Sequence, residues 1–206
     1  MPMKMPIDKT LSNRPSANRV ISAARKQFFA HGFRTVRMDD IAAELGMSKK
    51  TLYAHFPSKT ALVQTIMQEK FSEVEADLSR LESTDEQNVE TALRNMLDCV
   101  QRHTAEIQPP FVRDIGRELP ELFQVIEQRR RDLIRRHFGE LFKKGQRTGL
   151  IRNDIPVHLI IEILLGAVQT IMNPPKLAEL GLTVEAGYSS IIRIVLEGAL
   201  HNQRNR

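Results

Sequence analysis

The residues best equipped for chemistry fall in one short run, Ser48-Lys49-Lys50-Thr51-Leu52-Tyr53-Ala54-His55. Two adjacent lysines can donate to the O6 and N7 acceptors of guanine, and a threonine methyl can meet the methyl of thymine. Such side chains read a base edge only if a narrow support carries them into the major groove, and a short helix is such a support. Leu52 and Phe56, four residues apart, would bury one face, while Lys49, Lys50, Thr51, Tyr53 and His55 face elsewhere. Ser48 is placed to cap this helix. The chain has no phosphate-cradling glycine loop, no G-x-S-x-G elbow and no H-E-x-x-H, so no enzyme and no cofactor is expected. The single cysteine, Cys99, excludes an intramolecular disulfide. It lies on an apolar helical stripe beside Met96 and Val100, as a small core residue would. Without cysteine pairs and with six histidines, no metal site is expected.

The elements that must hold this run are legible on either side of it. Ile41, Ala42 and Leu45 recur with helical spacing over about two turns. Asp39 and Asp40 lie in that helix's first turn, where the helix dipole favours negative charge. Gly46 suits the left-handed residue that ends it. Residues 37–56 thus read as helix, turn, helix. A preceding helix over Ser16–Ala30 carries Val20, Ala23, Ala24, Gln27 and Phe28 on one stripe and stops at His31-Gly32, so Phe28 and Phe33 are expected in a small three-helix core. Lys59 follows Pro57-Ser58 in the first turn of a fourth helix, where backbone N–H donors and the ammonium together suit a phosphate.

The run IAAELGMSKKTLYAHFPSKTAL resembles the DNA-binding signature of TetR-type transcriptional regulators. There an Ile-Ala helix, a Gly turn, a Ser cap, a Leu-Tyr-x-His-Phe recognition helix and a following Lys recur together; here they are Ile41 and Ala42, Gly46, Ser48, Leu52 to Phe56, and Lys59. The upstream ARKQFFAHGFRTV resembles the family's first helix, so the likeness covers residues 14–74. It implies phosphate contacts from Tyr53, His55 and Lys59. The family often has Thr or Ser capping the second helix; this chain has Arg37, which is assigned to phosphate positioning. The likeness further implies a homodimer, and a small-molecule effector bound among the fourth to eighth helices so as to move the fourth. Met96, Cys99, His103, Phe111 and Met172 are candidates to line that site, and each could equally be core filling.

Charge is placed unevenly. Residues 1–60 hold 11 Lys/Arg against 4 Asp/Glu, whereas the remainder holds 19 against 21. A basic first quarter on a nearly neutral body is the footprint of a phosphate-binding module joined to something else. Residues 1–13, with Pro2, Pro6, Lys4 and Lys9, read as a mobile arm, residues 14–74 as the helix-turn-helix domain, and residues 75–206 as a helical regulatory and dimerisation domain. The expected fold is all-α with about nine helices, those after the third over residues 58–81, 86–107, 111–117, 120–144, 156–172 and 183–200. Ser83-Thr84-Asp85, Pro109-Pro110 and Asn173-Pro174-Pro175 read as stops, and Gly145 with Gly149 as a turn. Arg129, Arg130, Arg131, Arg135 and Arg136 read as a salt-bridged helix face supported by Glu127, Asp132 and Glu140. The helices over 156–172 and 183–200 carry more apolar surface than a monomer of this size can cover, which predicts a four-helix dimer interface. No signal peptide is evident, and Leu159–Val168 is too short and too interrupted by Glu162 to span a bilayer, so a soluble cytoplasmic protein is expected. The functional expectation is a sequence-specific transcriptional regulator, a repressor released from a palindromic double-stranded DNA operator by a small molecule. A nonspecific, architectural dimeric DNA-binding protein is the alternative.

Overall fold

The computed structural model describes residues 15–83, 88–172 and 174–200. These form ten α-helices: α1 (Pro15–His31), α2 (Met38–Glu44), α3 (Lys49–His55), α4 (Lys59–Ser83), α5 (Val89–Ala105), α6 (Pro109–Glu118), α7 (Pro120–Arg147), α8 (Val157–Ile171), α9 (Pro174–Glu179) and α10 (Val184–Ala199). Extended pairing among the described residues is limited to one isolated bridge between Ile151 and Leu200. The arm over residues 1–13 and the stop at Thr84-Asp85 lie outside the described residues.

The chain folds as two compact units. One comprises the described residues up to Ser72 together with Glu106–Ile126; the other comprises Glu73–Ala105 and the described residues from Glu127 onward. In the first, Phe28, Ile41, Leu52, Phe56, Leu62 and Ile66 are completely buried. Their spacing on four short helices puts one apolar face of each toward a common centre. The chain returns to this unit through α6, which packs on α1. The Phe111 ring meets Phe29 at 5.1 Å, and Gln108 N–H donates to the Phe29 carbonyl at 3.0 Å. Glu106 bridges two cations, Arg25 Nη2 at 2.7 Å and the buried Lys70 Nζ at 2.9 Å. Gly32 ends α1 with φ +87°, and a Cβ there would stand 2.6 Å from Asp114 Oδ2. That carboxylate accepts the Arg34 backbone N–H at 2.9 Å.

The second unit is built around Leu78, Leu93, Met96, Cys99, Phe138, Phe142, Ile160, Leu164 and Leu196. Helix boundaries along the chain correct two expectations, the number of helices and the place of a turn. Pro109-Pro110 follows the end of α5 at Ala105, as a stop would, and also opens α6, whereas Pro174-Pro175 follows α8 and opens the six-residue α9, an unexpected element that raises the helix count. Proline needs no N–H at the first helical positions, so the same residue that stops one helix can start the next. Gly145 makes no turn. It lies inside α7, where a Cβ would stand 2.7 Å from Ile151 Cδ1, and Gly149, at φ +73°, alone takes the left-handed backbone. Asn88 caps α5, its Oδ1 accepting the Glu90 N–H at 2.9 Å. The arginines of α7 are ion-paired, but largely across helices. Arg129 and Arg136 meet Glu75 at 2.9 and 2.6 Å, and Arg135 meets Glu162 at 2.7 Å. Of the expected partners only Glu127 serves, pairing Arg130 at 2.6 Å; Asp132 accepts from Gln128, and Glu140 pairs with Lys143.

Candidate DNA-binding surface

Helix α2 ends in the left-handed Gly46 (φ +62°), with Met47 N–H donating to the Ala42 carbonyl at 3.0 Å. The four residues Leu45 to Ser48 separate α2 from α3, a turn of the length found in helix-turn-helix pairs. Ser48 caps α3: its Oγ accepts the Thr51 N–H at 3.1 Å and lies 2.8 Å from Thr51 Oγ1. The Thr51 hydroxyl is therefore engaged by the cap, and its methyl is what remains to meet a base. Leu52 and Phe56 are buried, and Lys49, Lys50, Thr51 and Tyr53 all stand in solvent. The helix is anchored on one face and displays donors on the other.

The displayed cations are not equivalent. Lys49 Nζ lies 2.5 Å from Asp39 Oδ2 in the first turn of α2, and this hydrogen bond, with the carboxylate's charge, raises the ammonium above the usual lysine range. Lys50 is exposed without an ion pair among the described residues. Lys59 is half-buried, its Nζ 4.3 Å from the Phe33 ring centroid and 5.8 Å from that of Phe28. Burial lowers its pKa, against the pull of Asp114 and Glu118. Its charge is thus fixed over the aromatic floor of the module and not extended freely into solvent. His55 Nε2 lies 3.0 Å from Ser16 Oγ, which fastens the end of α3 to the start of α1. Arg37 is exposed at the N-cap of α2 and its side chain caps nothing. Arg37, Asp39, Tyr53, Pro57, Ser58 and Lys59 line one shallow depression of about 400 Å³. The Asp39 and Ser16 contacts escaped sequence reasoning because neither pair has helical spacing.

Residues 20–66 match the family described as bacterial regulatory proteins, tetR family. Along the longer chain, the transcriptional repressor DhaR of Mycobacterium sp. (strain GP1) is 26% identical over 166 residues, covering 77% of this chain and 81% of that protein. The fold is that of a TetR-family regulator from Agrobacterium tumefaciens, with TM-score 0.70 at 18% identity, covering 89% and 97% of the two chains. Residues 20–66 thus match the TetR-type DNA-binding domain, and the chain as a whole resembles regulators of that kind. A further solved relative in fold, a transcriptional regulator of Saccharomonospora viridis in complex with choline, has TM-score 0.68 at 17% identity over 90% and 97% of the chains. A TetR-family chain is a DNA-binding transcriptional regulator and not an enzyme, and the helix-turn-helix of α2 and α3 is the part that meets DNA.

Four of the five candidate effector residues, Met96, Cys99, His103 and Met172, fall in the second unit, and Phe111 does not. Met96 and Cys99 are buried in the core of the second unit, and Met172 is half-buried at the C-cap of α8. His103 is half-buried with Nε2 2.9 Å from Asp77 Oδ2. Phe111 belongs to the first unit, against Phe29. No helix among the described residues is long and apolar enough to cross a membrane.

Proposed function

We propose that this chain is a homodimeric repressor that reads a palindromic operator with two copies of α3 and leaves it on binding a small molecule. The observation that carries the reading is the solvent-facing first turn of α3, where Lys50 and the Thr51 methyl stand free for base edges while Leu52 locks the helix to its core. Lys49 joins them once it leaves Asp39. Arg37, Ser48 and Tyr53 reach phosphates around the depression beside α4, with Lys59 supplying fixed positive charge and His55 acting through the placement of α3. Two such helices match half-sites about one helical turn, roughly 10 base pairs, apart or somewhat more.

Pairing is supported by α8 and α10, which lie side by side in the second unit. Leu159 and Ile163, one turn apart on α8, are 46% and 52% exposed, and Ile194 on α10 is 71% exposed. Apolar side chains repeated on adjacent helices favour burial against a second copy. Repression is supported by the DhaR likeness, and small-molecule control by the choline complex of the Saccharomonospora viridis protein. The effector must prefer the conformer that does not bind DNA, since equal affinity for both shifts nothing.

The test is a gel shift against the chain's own upstream region with and without random competitor, paired with sedimentation of the wild type and Ile194→Asp. A footprint resistant to competitor and a dimer dissociated by the substitution are expected. Affinity that follows salt but not sequence would favour the architectural alternative, and a wild-type monomer would remove the palindromic arrangement.

A further inference from the structure

Three metal-ligating side chains converge in the second unit on α4 and α5. Asp77 stands on α4; Cys99 and His103 stand four residues apart on α5 and so share one face. Their donor atoms all lie within 4.8 Å of one another. His103 Nε2 is 2.9 Å from Asp77 Oδ2, and the other carboxylate oxygen of Asp77 is held by Arg80 Nη1 at 3.1 Å. Cys99 is completely buried, whereas the side chains of His103 and Asp77 are 15% and 36% exposed. The set is therefore closed on the sulfur side and open to solvent on the carboxylate side. Zinc bonds of about 2.0–2.3 Å in a tetrahedron place donors about 3.3–3.8 Å apart. Moving from the present separations to those requires shifts of about 1 Å or less, within reach of side-chain rotation.

We propose that Asp77, Cys99 and His103 bind one zinc-type divalent metal ion per chain, with water as a fourth ligand, and that this ion is an effector of the regulator. A thiolate, an imidazole and a carboxylate form a borderline donor set that suits zinc, cobalt or nickel and not magnesium or calcium. On binding, the Cys99 thiol loses its proton to solvent. His103 coordinates through Nε2, keeping one proton on Nδ1, and the hydrogen bond from His103 to Asp77 gives way to the metal. The ion would tie α5 to α4, the helix that begins at Lys59 beside the recognition helix. The effector role rests on the ligand-controlled repressor reading above; the metal site does not.

The tag-free full chain, stripped with a chelator, would be titrated with cobalt(II) and then zinc(II). One cobalt per chain with tetrahedral visible bands and a thiolate-to-cobalt charge-transfer band in the near ultraviolet is expected, with zinc displacing it. Cys99→Ser should abolish the charge-transfer band. His103→Ala and Asp77→Asn should weaken binding by at least about tenfold. Asp77 is partly exposed, so Asp77→Asn tests the site even where the buried cysteine variant folds poorly. Cobalt bound without the thiolate band, or wild-type affinity in both His103→Ala and Asp77→Asn, would overturn the site. A zinc-dependent change of tenfold or more in operator affinity, lost in Asp77→Asn, supports the effector role. Unchanged operator affinity in the zinc-loaded chain refutes that role while leaving the metal site standing, and failure to bind any operator refutes the repressor reading alone.

Discussion

Lys49 and Lys50 are neighbours on one helical turn, yet the fold makes them unequal donors, and substituting each in turn exposes the difference. Lys49 Nζ sits 2.5 Å from Asp39 Oδ2, whereas Lys50 is exposed with no ion pair among the described residues. A base edge or phosphate must draw Lys49 off a carboxylate, so its gain on DNA is the new contact less the one surrendered. Lys50→Ala should cost about 1–3 kcal/mol per half-site, or about five- to 150-fold in affinity, and relax selectivity at one base pair. Lys49→Ala should cost a smaller factor. Asp39→Asn should strengthen binding to all sequences by removing a negative charge from the phosphate-facing surface. In that background the cost of Lys49→Ala should rise toward that of Lys50→Ala. Fluorescence anisotropy on operator and scrambled duplexes, at several salt concentrations, reads all four variants. If Lys49→Ala already costs as much as Lys50→Ala in the wild type, and Asp39→Asn leaves that cost unchanged, the competition between Asp39 and DNA does not operate.

Gly46→Ala should destabilise by about 1–2 kcal/mol, the cost of a left-handed backbone with a Cβ, because nothing lies within 4 Å of the added atom. Gly32→Ala should cost more, since its Cβ also meets Asp114 Oδ2 at 2.6 Å; thermal melts of the two variants compare them directly. Burial acts to raise the Glu106 carboxyl, but hydrogen bonds from Lys70 and Arg25 outweigh it and hold its pKa below the ordinary value. A depressed folded-state pKa stabilises above the unfolded value of about 4.3 and is lost as pH falls through the folded one. Glu106→Gln should therefore lower the urea midpoint at pH 7, and the difference from wild type should shrink as pH falls below the unfolded value and through the depressed folded one. Phe138 is completely buried, and Phe138→Ala should cost about 3–5 kcal/mol, measured by denaturant unfolding.

The chain's local grammar was readable from residue types alone. Gly32 and Gly46 stop helices because only glycine takes φ near +60 to +90° without a Cβ penalty, and Ser48 caps α3 with a hydroxyl placed three residues before the N–H it accepts. Apolar spacing likewise marked which sides of α3 and α4 are buried, because helical periodicity depends only on sequence separation. Contacts between residues far apart in the chain follow no such period, and the tertiary structure decided them. It placed Asp39 on Lys49, Ser16 on His55, Glu75 on Arg129 and Arg136, and Asp77 on His103. It also set Lys59 over Phe33 and returned α6 to the first unit. Sequence thus determined which side chains a helix would offer to solvent; packing determined what each charge would meet there, because that depends on how distant segments approach in space.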